Sequence, residues 1–209
     1  MKLEHVKPEE IEKRSFEILT QELAENGVEL TGDTAPVIKR CIHTSADFEY
    51  ADTLKFSQNA VYIIKELIRN GASIVTDTNM ALTGINKKEL AKYGCEIRCY
   101  MAEEDVAKEA KERQVTRATV SMERAIGNSK PTIFVVGNAP TALITLHDYY
   151  EKGIYRPAFI VGVPVGFVNV VAAKELILQS DIPFIVNKGR KGGSNIAAAI
   201  INAILYSMR

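Results

Sequence analysis

Several residue types that mark particular classes of protein are scarce in this chain of 209 residues, which has three cysteines, three histidines and no tryptophan. Cys41, Cys95 and Cys99 are odd in number and lack paired metal-type spacing, so neither a disulfide framework nor a metal site is indicated. No apolar run is long enough to span a bilayer, and the first residues contain no signal-peptide core. We therefore expect a cytoplasmic protein that does not contact membranes.

An excess of charge of one sign is also absent, because 26 basic residues balance 26 acidic ones. Such a chain has no overall field that would attract nucleic acid or an anionic surface. The sequence has neither the Gly-x-Gly-x-x-Gly turn of dinucleotide-binding proteins after its first apolar run nor a phosphate-binding Gly-x-x-x-x-Gly-Lys-Ser/Thr loop anywhere. These absences count against nucleic-acid binding and against a nucleotide-dependent methyltransferase or dehydrogenase.

The spacing of apolar residues is helical in the first part of the chain and later alternates between short strand-like runs and helical patterns. Amphipathic patterns predict helices that begin near Pro8, at Asp33 or Thr34, and after Ser57 as an N-cap. Short apolar runs then alternate with helical patterns, and the predicted strands are residues 73–76, 96–100, 132–136, 158–161 and 182–186. This alternation predicts an α/β protein with three α/β/α layers and a mostly parallel sheet of about five strands. We expect the N-terminal helices to pack on that sheet, with residues 1–209 in one domain.

Glycine-bearing segments follow several of the predicted strands. Because ligands of open parallel sheets bind beyond the carboxyl ends of the strands, these segments predict a binding site. Its candidate residues are Gly137, Asn138, Ala139, Thr141, Arg190, Lys191, Gly192, Gly193 and Ser194. Arg190, Lys191 and the hydroxyl of Ser194 are suited to a carboxylate or a phosphate. The alternative is that the segments are ordinary strand-to-helix turns, which also favour glycine and asparagine.

The position of one histidine in the sequence suits acid–base chemistry. His43 follows a helical run and opens a polar segment, and Arg40 lies three residues earlier on the same helix face. Histidine can gain or lose a proton near neutral pH, and an arginine beside it suggests a carboxylate-bearing ligand. The alternative is a histidine that pairs with the last carbonyl groups of its helix. Asp47 and Asp77 could also be catalytic, although aspartates at such positions more often cap a turn or a helix.

Several segments in a fixed order resemble those of the precorrin-8 methylmutase family, in its cobalt-precorrin-8 branch, from the corrin ring pathway to vitamin B12. The segments that carry the resemblance are Arg14-Ser-Phe16, Arg40-Cys-Ile-His-Thr-Ser-Ala-Asp-Phe48, Asp77-Thr-Asn-Met80, Thr116-Arg117, Gly137-Asn-Ala-Pro-Thr-Ala-Leu143, Gly162-Val-Pro-Val-Gly-Phe-Val168 and Gly189-Arg-Lys-Gly-Gly-Ser194. Each motif is weak alone, but their order and spacing over nearly the whole chain are specific.

The resemblance implies an isomerase that moves a methyl group between adjacent carbons of one pyrrole-derived ring. It also implies a homodimer and no cofactor, any cobalt being part of the tetrapyrrole polycarboxylate substrate. His43 matches the family's proton donor and acceptor, Ser15 and Arg40 match positions that contact the substrate, and Arg117 matches an arginine of a family motif.

The segment that begins at Thr44 reads Thr-Ser-Ala, where cobalt-independent relatives have Ala-Cys-Gly, which favours the cobalt-containing substrate. We expect His43 and the loops 137–141 and 190–194 to line one cleft. A non-catalytic tetrapyrrole carrier remains an alternative, since the same cationic loops would also hold the product.

Overall fold

A six-stranded sheet forms the centre of the structure, a computed structural model that describes residues 4–209. The strands are β1 Leu54–Phe56, β2 Ser73–Thr76, β3 Glu96–Arg98, β4 Thr132–Val136, β5 Phe159–Gly162 and β6 Phe184–Asn187. Their order across the sheet is β1-β6-β5-β4-β2-β3. All neighbouring strands are parallel except β1, which pairs with β6 in the antiparallel sense. The predicted α/β class with a mostly parallel sheet is confirmed.

The strand β1 was missed by the sequence prediction, whereas each of the predicted strands is present with small shifts at its ends. β1 has only three residues, and a run this short contains no detectable period. Ser57, which was expected to be an N-cap, has a different role next to this strand. The Ser57 hydroxyl accepts a hydrogen bond from the Phe184 N–H at 2.9 Å, which extends the β1–β6 contact. The N-cap of the following helix is instead Asn59, in the left-handed conformation.

Helices cover both faces of the sheet. They are α1 Ile11–Glu25, α2 Ala35–Ser45, α3 Tyr50–Thr53, α4 Ala60–Arg69, α5 Asn79–Gly84, α6 Lys87–Ala91, α7 Glu104–Glu112, α8 Arg117–Ile126, α9 Pro140–Glu151, α10 Val170–Leu178 and α11 Ser194–Tyr206. Short 3₁₀ turns at Pro8–Glu10 and Tyr100–Ala102 precede α1 and α7. The N-terminal helices α1 and α2 pack on the same face as α4, α5 and α11, as expected.

Two hydrophobic cores lie on opposite faces of the sheet. Ile133 and Val135 of β4 contribute to the core with α1, α2, α4 and α11, whereas Phe134 and Val136 contribute to the core with α7, α8, α9 and α10. All four side chains are fully buried. Because successive residues of a strand point to opposite faces, burial of both sets explains why the strands read as continuous apolar runs. Each such side chain contributes about 1.5–3 kcal/mol.

The end of α2 differs from the sequence expectation, which placed His43 after the helix. The helix continues to Ser45 and ends where Ala46 adopts the left-handed conformation. Thr44 and Ser45 can occupy the last turn because their hydroxyls donate to the carbonyl oxygens of Arg40 and Cys41, each at 2.8 Å. His43 therefore lies inside a helix, on a backbone that the helix fixes.

None of the helices within residues 4–209 combines the length and apolarity that crossing a bilayer requires.

Candidate functional site

His43 lines a cleft between α1 and α2 that has a volume of about 520 Å³. The polar residues that line this cleft are Glu4, Arg14, Ser15, Glu22 and His43. The rest of its lining is apolar or small and includes Ile11, Ile18 and Phe48. The cleft thus brings Ser15 and His43 together beside a broad apolar wall. A half-buried imidazole next to an apolar slot suits proton transfer to a large, flat ligand.

The plane of the His43 ring is fixed by a neighbouring aromatic ring. Phe16 of α1 stacks on it with 4.9 Å between the ring centroids and an angle of 5° between the planes. The guanidinium of Arg40 lies 4.7 Å from the centre of the Phe16 ring and forms an ion pair with Glu12. Glu12 and Phe16 are one helical turn apart in α1, as Arg40 and His43 are in α2. The two helices are therefore joined at the catalytic candidate by an ion pair and two stacked contacts.

Arg40 lies beside the His43 cleft and does not line it. It faces a second cleft together with Lys39, Gly32 and Tyr206. Its hydrogen bond and charge lower the pKa of the Glu12 carboxyl, and the neighbouring His43 acts in the same direction. In this structure Arg40 contacts Glu12, Phe16 and the ring of Tyr206, whose centre is 5.4 Å from the guanidinium carbon. Its position suits a group that orients Phe16 and His43.

Arg14 is the cation that lines the His43 cleft, and the sequence interpretation did not select it. Its Nε is 2.7 Å from a carboxylate oxygen of Glu4, and its Nη1 is 3.5 Å from Glu17. The Glu4 carboxylate raises the pKa of the Arg14 guanidinium, so the group remains charged. The signal was present in the sequence, because Arg14 directly precedes Ser15 in one of the segments that resemble the methylmutase family. Neighbouring residues of a helix point about 100° apart, so adjacency alone did not show that both reach one cleft.

The loops at the carboxyl edge of the sheet meet one another as predicted. Asp77, which follows β2, is fully buried, and its carboxylate accepts hydrogen bonds from the backbone N–H groups of Gly137, Asn138 and Ala139 at 2.6–2.8 Å. The hydroxyls of Thr78 and Ser194 are 2.8 Å apart. Burial raises the pKa of Asp77, and the three N–H donors oppose that rise. Asp77 thus organises the start of α9, which is the capping alternative stated for it.

Gly137 and Ser194 are close because Gly137 has no side chain. A Cβ at Gly137 would lie 2.7 Å from the Cα of Ser194 and 3.0 Å from the carbonyl oxygen of Gly193. Near the start of α9, the hydroxyl of Thr141 is 2.8 Å from that of Thr116, which is the N-cap of α8. Arg117 is the first residue of α8 and is exposed there. The structure therefore gathers Arg117, Thr141 and the glycine loops at one edge of the sheet.

The cationic loop 188–193 connects this edge to the helix that carries His43. Arg190 is exposed, and its guanidinium lies 5.5 Å from the centre of the Phe167 ring. The Nζ of Lys191 is 2.7 Å from Asp47 and 3.0 Å from Glu49, just beyond the end of α2. Lys191 lowers the pKa of the Asp47 carboxyl. Asp47 is thus a structural anchor for the loop in this structure.

The expectation that His43 and the glycine loops line one cleft was wrong for a single chain. The cleft at His43 is lined from residues 4–48 only, and the loops 137–141 and 190–194 take no part in it. The physical reason is that α1 closes over α2 and forms the cleft between helices, whereas the loops follow the strands. The two regions meet at the contact between Lys191 and Asp47.

The other histidines and the thiols have no comparable surroundings. His147 in α9 is half-buried and lies 3.8 Å from Glu151 of its own helix, and His5 is exposed. Burial raises the pKa of Cys41 to about 12 and that of Cys95 to about 11, so neither is a thiolate at neutral pH. Cys95 and Cys99 are half-buried.

Known proteins match this chain over nearly its full length. Residues 10–207 match the family described as precorrin-8X methylmutase. The cobalt-precorrin-8 methylmutase of Priestia megaterium is 41% identical over 95% of this chain and 88% of its own length. The relative of the same name from Salmonella typhimurium is 42% identical over 97% of this chain and 96% of its own length. The crystal structure of precorrin-8x methyl mutase from Thermus thermophilus superposes with a TM-score of 0.83 at 36% identity and covers 94% of this chain and 96% of that chain.

Proposed function

Because this chain belongs to the precorrin-8X methylmutase family, whose members are isomerases of cobalamin biosynthesis, we propose that His43 is its proton donor and acceptor. The substrate we assign is cobalt-precorrin-8, and the product is the corresponding cobyrinic acid. The observation that carries the assignment is the His43 ring, held parallel to Phe16 at the mouth of an apolar cleft with Ser15 and Arg14 beside it.

The chemistry of the methyl shift matches the groups in the cleft. Migration of a methyl group along a conjugated ring system resembles a [1,5]-sigmatropic rearrangement, which needs neither a nucleophile nor a metal. Protonation at one edge of the macrocycle by the His43 imidazolium would make the migration terminus more electron-poor, and the neutral imidazole would take the proton back afterwards. A positioned acid of this kind contributes about 10²–10⁴-fold. Selective binding of the reactive tautomer by the apolar wall would supply further acceleration. We propose that the reaction uses no cofactor.

We propose that the carboxylates of the macrocycle bind to the cations and polar side chains around these two regions. Arg14 and Ser15 are placed for a carboxylate in the cleft, and Thr44 for one near the end of α2. At the edge of the sheet the groups are Arg117, Arg190 and Lys191, together with the loop residues 137–141 and 192–194. Arg40 supports the site indirectly through Phe16. A polycarboxylate with a broad apolar face needs this combination of cations and apolar surface.

We further propose that the active protein is a homodimer in the cytoplasm, folded as one domain in each chain. Support comes from the separation of the two regions in a single chain, since a tetrapyrrole is larger than the ligands that a cleft of about 520 Å³ usually takes. A mass in solution of twice that of one chain would agree with this.

The assigned activity is tested by incubating the protein with cobalt-precorrin-8 and, separately, with metal-free precorrin-8. We expect the absorption spectrum to change as conjugation extends around the ring, and to change faster with the cobalt-containing substrate because residues 44–46 read Thr-Ser-Ala. Tight binding of both compounds without any conversion would contradict the assignment and support the carrier alternative. Faster conversion of the metal-free compound would contradict only the proposed preference for cobalt.

Arg14→Gln is expected to raise the KM and the dissociation constant of the product by about five- to twentyfold, with a small effect on kcat. The reason is that Arg14 lines the cleft and offers a charge-assisted hydrogen bond to a substrate carboxylate in both the ground state and the transition state. The measurement is a pair of steady-state and equilibrium titrations. Lys13→Gln removes the same charge from an exposed neighbour in α1 that does not line this cleft, and it should leave both constants unchanged.

A further inference from the structure

A lysine is completely buried behind the cationic loop. Lys174 of α10 has no exposed surface, and its Nζ donates hydrogen bonds to the carbonyl oxygens of Gly189 and Lys191, each at 2.8 Å. Among the partners that the structure shows for it in residues 4–209, there is no carboxylate. Burial of an ammonium group without a counter-ion is costly. An apolar side chain of the same length would fill this space without that cost.

The charge of Lys174 is present under ordinary conditions. Burial lowers the pKa of the Lys174 ammonium to about 8, which still leaves most of the groups protonated at neutral pH. The two carbonyl dipoles that point at the ammonium offset part of its desolvation. Since Lys174 is fully buried, it cannot touch a substrate, and its function must be exerted through the loop that it contacts.

The carbonyl groups of three successive loop residues, Gly189 to Lys191, accept hydrogen bonds from other parts of the protein. Asn187 donates to the carbonyl oxygen of Lys191 at 2.9 Å, in addition to the bond from Lys174. The carbonyl oxygen of Arg190 accepts from the Gly166 N–H at 3.2 Å. With these carbonyls held by hydrogen bonds, the side chains of Arg190 and Lys191 lie on the surface. The conformation of the cationic loop thus depends on two buried donors, Lys174 and Asn187, and on one backbone donor, Gly166.

Assuming the proposed function, in which Arg190 and Lys191 bind substrate carboxylates, we propose that Lys174 is a positioning residue that holds the cationic loop in its binding conformation. The same contact reaches the region of His43, because Lys191 pairs with Asp47, four residues after the histidine. Lys174 therefore fixes one end of a series of contacts that joins the sheet edge to the end of α2.

The test compares Lys174→Met with Lys188→Met in the full chain. Methionine keeps the length and apolar stem of Lys174 but cannot donate a hydrogen bond. Lys188 is exposed and lies in the same loop, so its replacement removes the same charge without removing a buried donor. Amide hydrogen exchange over residues 188–194 measures the order of the loop, and steady-state kinetics measure KM and kcat.

We expect exchange in this segment to be about tenfold faster in Lys174→Met, because the loop loses two of its anchoring bonds. KM should rise about tenfold, with kcat within about threefold of the wild-type value. Lys188→Met should match the wild type in both measurements. Unchanged exchange and unchanged KM in Lys174→Met would overturn the proposal.

Lys174→Gln covers the case in which the methionine variant does not fold, because an amide retains two N–H donors without the charge. It should give exchange and KM values between those of the wild type and Lys174→Met. If both variants unfold, Lys174 is required for folding and the positioning proposal is overturned. If the wild-type protein binds the product but converts no substrate, the proposed function fails, whereas the exchange comparison still decides the role of Lys174.

Discussion

His43→Ala is expected to lower kcat by about 10²–10⁴-fold and to leave the affinity for the product within about threefold of the wild-type value. The imidazole acts on a proton that moves only during the reaction, so its loss removes an interaction of the transition state. Its ring contributes little to ground-state binding, because one of its faces is already covered by Phe16. Single-turnover kinetics and equilibrium titration with the product separate the two effects.

His147→Ala is the matched control for this variant. His147 is a half-buried helical histidine like His43, but it belongs to α9 and does not line the cleft. Its replacement should leave kcat nearly unchanged. A His43→Ala protein that retains more than about a tenth of the wild-type rate would contradict the assignment of His43 as the general acid. A large loss of product affinity with a normal rate would show that His43 is only a binding residue.

Gly192→Ala is expected to lower the free energy of unfolding by about 3–5 kcal/mol, through backbone strain and a forced shift of the packed loop. Gly192 has φ +154°, which side-chain-bearing residues rarely adopt, and a Cβ at this position would overlap the carbonyl group of Val163. That carbonyl already accepts a hydrogen bond from the Gly193 N–H at 2.8 Å. Thermal unfolding should show a decrease in Tm of roughly 6–20 °C for a chain of this size, together with a raised KM.

Gly189→Ala separates the effect of crowding from that of backbone strain. Gly189 lies in the same loop with φ +81°, but a Cβ there would meet no atom within 4 Å. Its replacement should therefore cost only the left-handed conformation, about 1–2 kcal/mol. Equal losses in the two variants would show that contact with Val163 does not determine the loop, and a Gly192→Ala protein as stable as the wild type would contradict the packing described here.

The strands were predictable from sequence because their environment is uniform. β2, β4, β5 and β6 are buried on both faces, so each appears as an apolar run that no helical period explains. β1 escaped prediction because it is an edge strand of three residues whose partner, β6, lies about 130 residues later in the chain. A pairing of that kind leaves no local pattern.

The candidate site was predicted in part, and the omissions share a cause. The sequence pointed to His43 and Ser15, and both line the cleft. Arg14, Phe16 and Lys174 were not selected, because their roles arise from contacts with residues that are distant in the chain. The stacking of Phe16 on His43 joins two helices, and Lys174 meets the loop 15 and 17 residues later through its backbone carbonyls, which have no sequence signature.

The α/β class, the positions of most helices and strands, the glycine loops at the sheet edge and the resemblance to a methylmutase family could all be read from the sequence. These features follow from local periodicity, from turn chemistry and from motifs in a fixed order. The folded chain was needed to show that Arg14 shares the cleft of His43 and that Arg40 lies behind Phe16. It was also needed to show that the cleft and the glycine loops are separate regions joined by Lys191 and Asp47. These features depend on how the helices pack, because packing determines which side chains converge and a shift of one position along a helix turns a side chain by about 100°.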